Sequence, residues 1–297
     1  MFPKFNKKVL MSGAEYFNDK LAINALMDPG VKVDKLKAVS EHDKLRRTLE
    51  DIGVEVVKVD APESLQDGVY TANWSLIRNS VALMSRLPNE RAPEEIYALK
   101  YLKDLGISTH ILPPEIKRFS GQGDALPCGD IVFTQSPYRT SHEAHPYLKT
   151  ILGFQTVIAL RTKPSRYFKF GPKKLNRLTG WPDSPTYDLD LAVAILKWPS
   201  DQQNGLIAWC PEVFTRTSRK IMQNLDIVDK IEVSRAEALD KYALNLLSTG
   251  ETVVMNAGAS NFQSAIESHG LKTVALSLPE LRKGGGSIRC VTLTLEN

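Results

Sequence analysis

No apolar run in this 297-residue chain reaches 18 residues, so no segment has the length of a membrane-spanning helix. The amino-terminal stretch "MFPKFNKKVLMSG" offers only Val9 to Met11 as a continuous apolar run, too brief for a signal-peptide core. Cysteine is scarce. Cys128, Cys210 and Cys290 lie far apart and are odd in number, which suggests neither a disulfide framework nor a zinc cluster and predicts a reducing, cytoplasmic setting. An excess of charge of one sign is missing too. With 38 Lys and Arg against 34 Asp and Glu the net charge is +4, without a long basic block or an aromatic-basic repeat, so no nucleic-acid partner is expected, and the lack of a spanning segment leaves no membrane partner expected either. The acids are scattered without metal-ligand spacing, and no metal or cofactor is expected. Oligomeric state leaves no mark on the sequence.

What is present is an alternation. Segments of four to eight residues rich in Val, Ile, Thr and aromatics, such as Lys8 to Met11, Val54 to Val59, Val69 to Leu76, Ile131 to Thr134, Leu189 to Leu196, Leu206 to Trp209, Thr252 to Met255 and Ile288 to Leu295, read as strands. Helical patterns fall between them at Ser40 to Ile52, Pro93 to Leu105, Ser141 to Leu152, Thr217 to Asn224 and Phe262 to His269. The alternation predicts an α/β fold. Strand, turn, strand, helix, strand recurs, as in Val69 to Leu83, Pro93 to Leu105 and Thr109 to Leu112, which suggests repeated ββαβ units. Residues 161–188, with four prolines and two glycines, read as a long loop of the kind that walls a site. No linker-like break in composition appears, so one domain over residues 1–297 is expected.

The stretch "GGGSIRCVTLTL" brings Cys290 to the start of a strand behind a glycine triplet that allows close backbone approach. Composition alone leaves Cys290 as either a buried thiol or a nucleophile. "DGVYTANWSLI" reads as a strand bearing Asn73; the Asn-Trp-Ser triplet there is formally a glycosylation acceptor and reads as chance. "RFSGQGDALPCGDIVFT" sets Asp124 in a glycine-rich turn, and Asp188 and Asp190, two apart in "SPTYDLDLAVAIL", would share one face of an extended chain. Carboxylates beside a cysteine suit a planar cation: they hold a guanidinium by paired hydrogen bonds while a thiolate attacks its central carbon.

Taken in order, these segments resemble the guanidino-group-modifying enzymes: dimethylarginine dimethylaminohydrolases, arginine deiminases and dihydrolases, and amidinotransferases. "VLMSGAEYF" is similar to the family's first strand, "DGVYTANWSLI" to "D-x-V-F-T-A-N-x-x-L", and "RFSGQGDAL" to "F-E-G-x-G-D-A-L". "YRTSHEAH" is similar to "F-R-T-x-x-x-A-H", "YDLDLAVAIL" to "Y-H-L-D-x-x-x-x-x-L", "YALNLLSTGETVVMNAG" to "x-A-C-N-x-x-x-x-G-x-x-V-V-L-N", and "GGGSIRCVTLTL" to "G-G-S-x-x-C-x-T-L". The resemblance implies a pentein fold, a five-bladed α/β-propeller of ββαβ units, and an arginine-like small-molecule substrate.

By the same resemblance Cys290 falls on the nucleophile, Asn73 on a guanidinium-contacting position, Asp124 on the acid of the glycine-rich turn and Asp190 on the acid after the catalytic histidine. Arg139 and Asn245 match polar positions near the substrate pocket. Two positions depart from the family pattern: Asp188 stands where the histidine is expected, and Ser120 where the glutamate of "F-E-G" is expected. Asp188 becomes the candidate catalytic partner or guanidinium anchor, with Ser120 beside the substrate. His145 matches a family position and reads as a helix-packing or capping residue, His42, His110 and His269 read as surface or element ends, and none of these, nor His142, is an evident replacement for the histidine. Two functions stay open: a hydrolase or transferase working through a covalent thiouronium on Cys290, and an impaired pentein that binds a cationic ligand or a protein partner.

Overall fold

The computed structural model describes residues 3–28, 30–88, 90–168 and 170–297. Its strands form five three-stranded sheets. The chain opens with β1 (Lys8–Ser12), α1 (Lys35–Asp51) and β2 (Glu55–Val59), then β3 (Ser75–Arg78), β4 (Val81–Met84), α2 (Ala92–Asp104) and β5 (Ser108–His110). The third unit is β6 (Ala125–Cys128), β7 (Ile131–Gln135), α3 (His145–Thr150) and β8 (Thr156–Leu160), and the fourth β9 (Val193–Lys197), β10 (Gly205–Trp209), α4 (Arg216–Gln223) and β11 (Val228–Glu232). The last comprises β12 (Leu247–Ser248), β13 (Thr252–Asn256), α5 (Ser260–Ser268) and β14 (Lys272–Leu276), before α6 (Pro279–Arg282) and β15 (Leu293–Glu296).

In the second to fifth units the first two strands pair antiparallel, across a short turn except for the longer 198–204 connection between β9 and β10, and the third returns parallel after the helix. A parallel neighbour needs a crossover of a dozen or more residues, which the helix supplies. β15 completes the first sheet, pairing antiparallel with β1 while β2 pairs parallel on its other side. The two ends of the chain therefore close the ring. First strands are buried and pack on one another, β15 on β3, β6 on β9 and β9 on β12, so they line the axis. Third strands such as β2, β8 and β14 alternate toward solvent at the rim. The fold is a five-bladed α/β-propeller of ββαβ units, as the resemblance implied.

The sequence misjudges the axial ends of the blades. Val69 to Leu76 is not one strand: residues Thr71–Asn73 form a 3-10 turn and β3 begins at Ser75. Leu189 to Leu196 likewise splits into a turn over Leu189–Leu191 and β9. Cys290 does not open a strand, because Ser287 to Thr292 is a turn and β15 starts at Leu293. The reason is local. Asn245 Oδ1 accepts the backbone N–H groups of Ser287 (3.0 Å), Arg289 (3.1 Å) and Cys290 (3.4 Å), which gives buried donors a partner outside any ladder. Asp124 Oδ1 does the same for the Leu189 N–H at 2.9 Å. Alternating apolar residues look like a strand in sequence; a buried side-chain acceptor turns the chain aside.

Candidate active site

The five axial turns bring Asn73, Ser120, Asp124, Asp188, Asp190, Asn245 and Cys290 to one end of the propeller, all buried. They form two connected clusters. In the first, Asn73 Nδ2 donates to Asp188 Oδ2 (2.8 Å) and to Ser120 Oγ (2.9 Å), and Ser120 Oγ donates to Asp188 Oδ1 (2.8 Å). Gly123 makes room for this contact, since a Cβ there would sit 2.5 Å from Asn73 Nδ2 and 2.7 Å from Asp188 Oδ2. Thus the two departures from the family pattern touch each other: a serine donor and an aspartate acceptor stand where a glutamate and a histidine are expected. One carboxylate is kept, moved from position 120 to position 188.

In the second cluster the Cys290 thiol donates to Asp190 Oδ2 at 3.2 Å and accepts from Asn245 Nδ2 at 3.1 Å. Gly286 allows this placement, because a Cβ there would lie 3.0 Å from Cys290 Sγ. Tyr70 and Tyr187 fix the glycine segment through hydrogen bonds to Leu281 O (2.6 Å) and Gly285 O (2.8 Å). The carboxylates at 188 and 190 do not share a face; the 3-10 turn sends one to Asn73 and the other to the thiol.

Burial raises the Asp190 carboxyl to about 8, with the nearby Asp188 charge adding to it. Burial also pushes the Cys290 thiol well above its ordinary range, helped by the charges of Asp190 and Asp188. Both shifts favour the protonated forms near neutral pH. Asp124, raised by burial and by Asp188, ties β7 to the Asp188 turn through Gln135 Nε2 at 2.9 Å. Asp190→Asn removes a negative charge beside the sulfur and is expected to lower the thiol pKa. Iodoacetamide labelling of Cys290, followed by peptide mass across pH 6 to 9, then rises at lower pH in the variant; an unmoved profile would contradict the Asp190–Cys290 contact.

A small cavity is lined by Asn73 and Cys290 from the axis, and by Asp67, Arg91, Arg139 and Tyr187 around them, with Ile23 and Asn24 contributing from the irregular segment before α1. Its free space, about 10 Å³ for the centre of a water-sized sphere, holds about one water. Asp124 and Asp188, expected around the sulfur, are not among the lining residues; they stand behind Asn73. Arg139 stacks 4.6 Å over the Tyr187 ring and donates to Ile23 O at 3.0 Å. Asp67 has one carboxylate oxygen, Oδ1, with no hydrogen-bond partner, and burial raises its carboxyl to about 6 against the pull of Arg91. No histidine lines the cavity. His145 begins α3 and His142 is exposed, both away from it. The larger groove of about 710 Å³, bordered by Arg78, Asp130, Trp198 and Asn297 at the hairpin ends, carries none of the expected chemistry.

Over 97% of its length the chain is 28% identical to the N(G),N(G)-dimethylarginine dimethylaminohydrolase of Mycobacterium tuberculosis, covering 86% of that protein. It is 24% identical over 96% of its length to the bifunctional arginine dihydrolase/ornithine cyclodeaminase ArgZ of Synechocystis, of which it spans only 37%. The solved N-terminal domain of ArgZ, an arginine dihydrolase of the cyanobacterial ornithine-ammonia cycle, superposes with a TM-score of 0.81 at 23% identity, covering 96% of this chain and 97% of that one. A dimethylarginine dimethylaminohydrolase structure superposes with a TM-score of 0.69 at 19% identity, 99% of each chain being covered. No family model matches. The chain has the pentein fold of these structures.

Sequence reasoning did not single out three residues that the fold brings to the cavity. Asp67 stood in a quoted motif without a role. Arg91 caps α2 and forms a buried two-pronged pair with Glu94, while its other nitrogen donates to Asn73 Oδ1 at 2.8 Å. Asn24 reaches across 260 residues to Gly284 O at 2.9 Å. The sequence signal for Arg91 and Glu94 was their spacing of three at a helix start, where such pairs meet.

The raised carboxyls also set how stability depends on pH. Asp67 and Asp190 hold protons in the folded state that the unfolded chain, with a carboxyl near 4, releases. Stability therefore falls as pH rises from about 4 through about 6 for Asp67 and on through about 8 for Asp190. The melting temperature is expected to decline between pH 5 and 8.5, with a shallower decline above pH 6.5 in Asp190→Asn. A flat profile in the parent protein would contradict the burial assigned to these acids.

Proposed function

We propose that residues 1–297 form one pentein domain that hydrolyses, or transfers the amidino group of, an arginine-like guanidino compound through a covalent thiouronium on Cys290. The observation that carries it is Cys290 at the wall of a buried cavity, its sulfur in contact with a carboxyl of raised pKa on one side and an amide donor on the other. The named activities of the dimethylarginine and arginine hydrolases that this chain resembles support the substrate class.

A bound guanidinium favours the thiolate, because a cation beside the sulfur lowers its pKa. The same cation favours the ionised carboxylate at Asp190, which gives up its own proton as the substrate binds; the thiol proton then passes to Asp190 Oδ2, and the sulfur attacks the central carbon. The C–N bond then breaks as Asp190 returns the proton to the leaving amine. Water attacks the thiouronium carbon, giving one proton to Asp190; the C–S bond breaks as Asp190 passes that proton to the sulfur and then takes up the hydroxyl proton, which closes the ureido carbonyl. The products are a ureido compound and an amine; an amine in place of water gives amidino transfer. Both Asp188 oxygens are held by Asn73 and Ser120, which suits anchoring and fixed negative charge. Asn245 orients the sulfur, and Asp124 holds the Asp188 turn. Asp67 Oδ1 offers an acceptor for a cationic group, and Arg139, with donors to spare, suits a carboxylate. Both ends of a guanidino acid thus find partners once Ile23 and Asn24 move aside.

A second reading, an impaired pentein that binds a guanidino ligand or a protein partner without turnover, is favoured by the lack of a histidine along the cavity. Incubation with arginine, methylated arginines, agmatine and guanidino acids separates the two. Ureido product is expected from at least one. If none forms while a guanidino compound raises the melting temperature, the binding function stands and the hydrolytic one falls.

A further inference from the structure

Residues 161–182, between β8 and the Asp188 turn, contain seven Lys and Arg and no Asp or Glu, in a chain whose net charge is only +4. Arg161, Lys163, Arg166, Lys173 and Arg177 are exposed. Among the described residues no salt bridge involves this segment. The same stretch exposes Tyr167 (63%), Phe168 (67%), Phe170 (88%), Leu175 (54%) and Leu178 (47%). Large apolar side chains exposed together within a dozen residues mark an interaction surface.

The segment is held in place. Arg166 bridges to Lys173 and Leu175 to Pro182, folding it into two narrow bends. Its foot is tied down by the Ser165 N–H to Asp183 O (2.9 Å), by Tyr138 Oη to Thr162 O (2.7 Å) and by Arg118 over the Trp181 ring (5.8 Å). Asn176 Nδ2 donates to Ala22 O at 3.1 Å, next to Ile23 of the cavity roof.

We propose that this segment docks the protein on an anionic lipid surface. Aromatic and aliphatic side chains flanked by cations fit the boundary between acyl chains and headgroups, where the apolar groups leave water and the cations meet phosphate and carboxylate. Leu175 and Leu178 argue against nucleic acid, since aliphatic groups gain nothing from stacked bases or phosphates. The expectation of no membrane partner rested on the lack of a spanning segment, and surface docking needs none; among the described residues no helix is long and apolar enough to cross a membrane.

The test is co-sedimentation of the full chain with phosphatidylcholine vesicles, with and without phosphatidylserine. Binding is expected only with phosphatidylserine and to weaken as salt is raised. Lys173→Glu with Lys174→Glu is expected to weaken it about tenfold or more, and Tyr167→Ser with Phe168→Ser to weaken it comparably, at unchanged melting temperature. Failure to sediment with anionic vesicles at low salt, or sedimentation unaffected by both double variants, overturns the proposal. So does a gel shift of single-stranded RNA that both variants abolish in the absence of vesicle binding. Turnover is not measured, so the outcome is independent of the function proposed for Cys290.

Discussion

Glu94→Ala is expected to lower the melting temperature by about 10 °C. Glu94 and Arg91 are 1% and 3% exposed, and the guanidinium grips both carboxylate oxygens, at 2.8 and 2.7 Å. Trp74 Nε1 also donates to Glu94 Oε2 at 3.1 Å. Removing the acid strands a buried cation that cannot deprotonate and leaves the indole N–H without its acceptor, a loss of about 3–5 kcal/mol for a pair of this kind. Glu50→Ala, which breaks the more exposed pair with Arg46 on α1, is expected to cost about 0.3–0.5 kcal/mol. The contrast separates burial from mere ion pairing. Thermal unfolding of the two variants checks it, and a Glu94→Ala protein melting within about 2 °C of its parent would contradict the account. Because Arg91 also holds Asn73 Oδ1, the same change is expected to weaken guanidino binding.

Cys290→Ala is expected to abolish turnover, a loss on the order of 10⁴-fold or more, as when a covalent nucleophile is removed. Ligand binding should survive it, since the proposed guanidinium and carboxylate partners, Asp67, Asn73 and Arg139, are untouched. Cys128→Ala and Cys210→Ala are the controls: both thiols lie among the apolar residues of the largest core cluster, and their loss affects stability, not turnover. Product formation is measured for all three with whichever guanidino compound is turned over. Turnover that persists in Cys290→Ala would remove the thiouronium from the mechanism. Asp190→Asn, which breaks the proton path but keeps the sulfur, is expected to cost about 10²–10⁴-fold.

Much of the propeller was legible in the sequence, because β1, β7, β8 and β10 are continuous apolar or β-branched runs bounded by turn residues, and the helices between them keep a buried stripe such as Ala38, His42, Leu45 and Leu49. The short β12 escaped because two residues carry no period, and β11, "VDKIE", because its charges mask its buried Val228 and Ile231. The axial turns misled for a different reason. Their geometry is imposed by side chains distant in sequence: Asn245 gathers the N–H groups of residues 42 to 45 positions away, and Asp124 reaches Leu189 across 65.

The site shows the same division. Cys290, Asn73, Asp124, Asp188, Asp190 and Asn245 were found by motif, and they do come together. What no motif carried was their pairing. Ser120 and Asp188, each read as a separate departure, are hydrogen-bond partners across 68 residues, and Asp190 meets Cys290 across 100. Ser120 Oγ and Asp188 Oδ1 satisfy each other in the interior, so removing either partner alone would bury an unmatched donor or acceptor.

The central claim is that Cys290 becomes bonded to the guanidino carbon. Intact-mass spectrometry of the protein, acid-quenched during turnover of a guanidino substrate, tests it most directly. The account predicts a mass increase equal to the substrate less its departing amine, located by peptide mapping on Cys290 and missing from Cys290→Ala. Product formation with no such adduct, or an adduct on Cys128 or Cys210 instead, would contradict it.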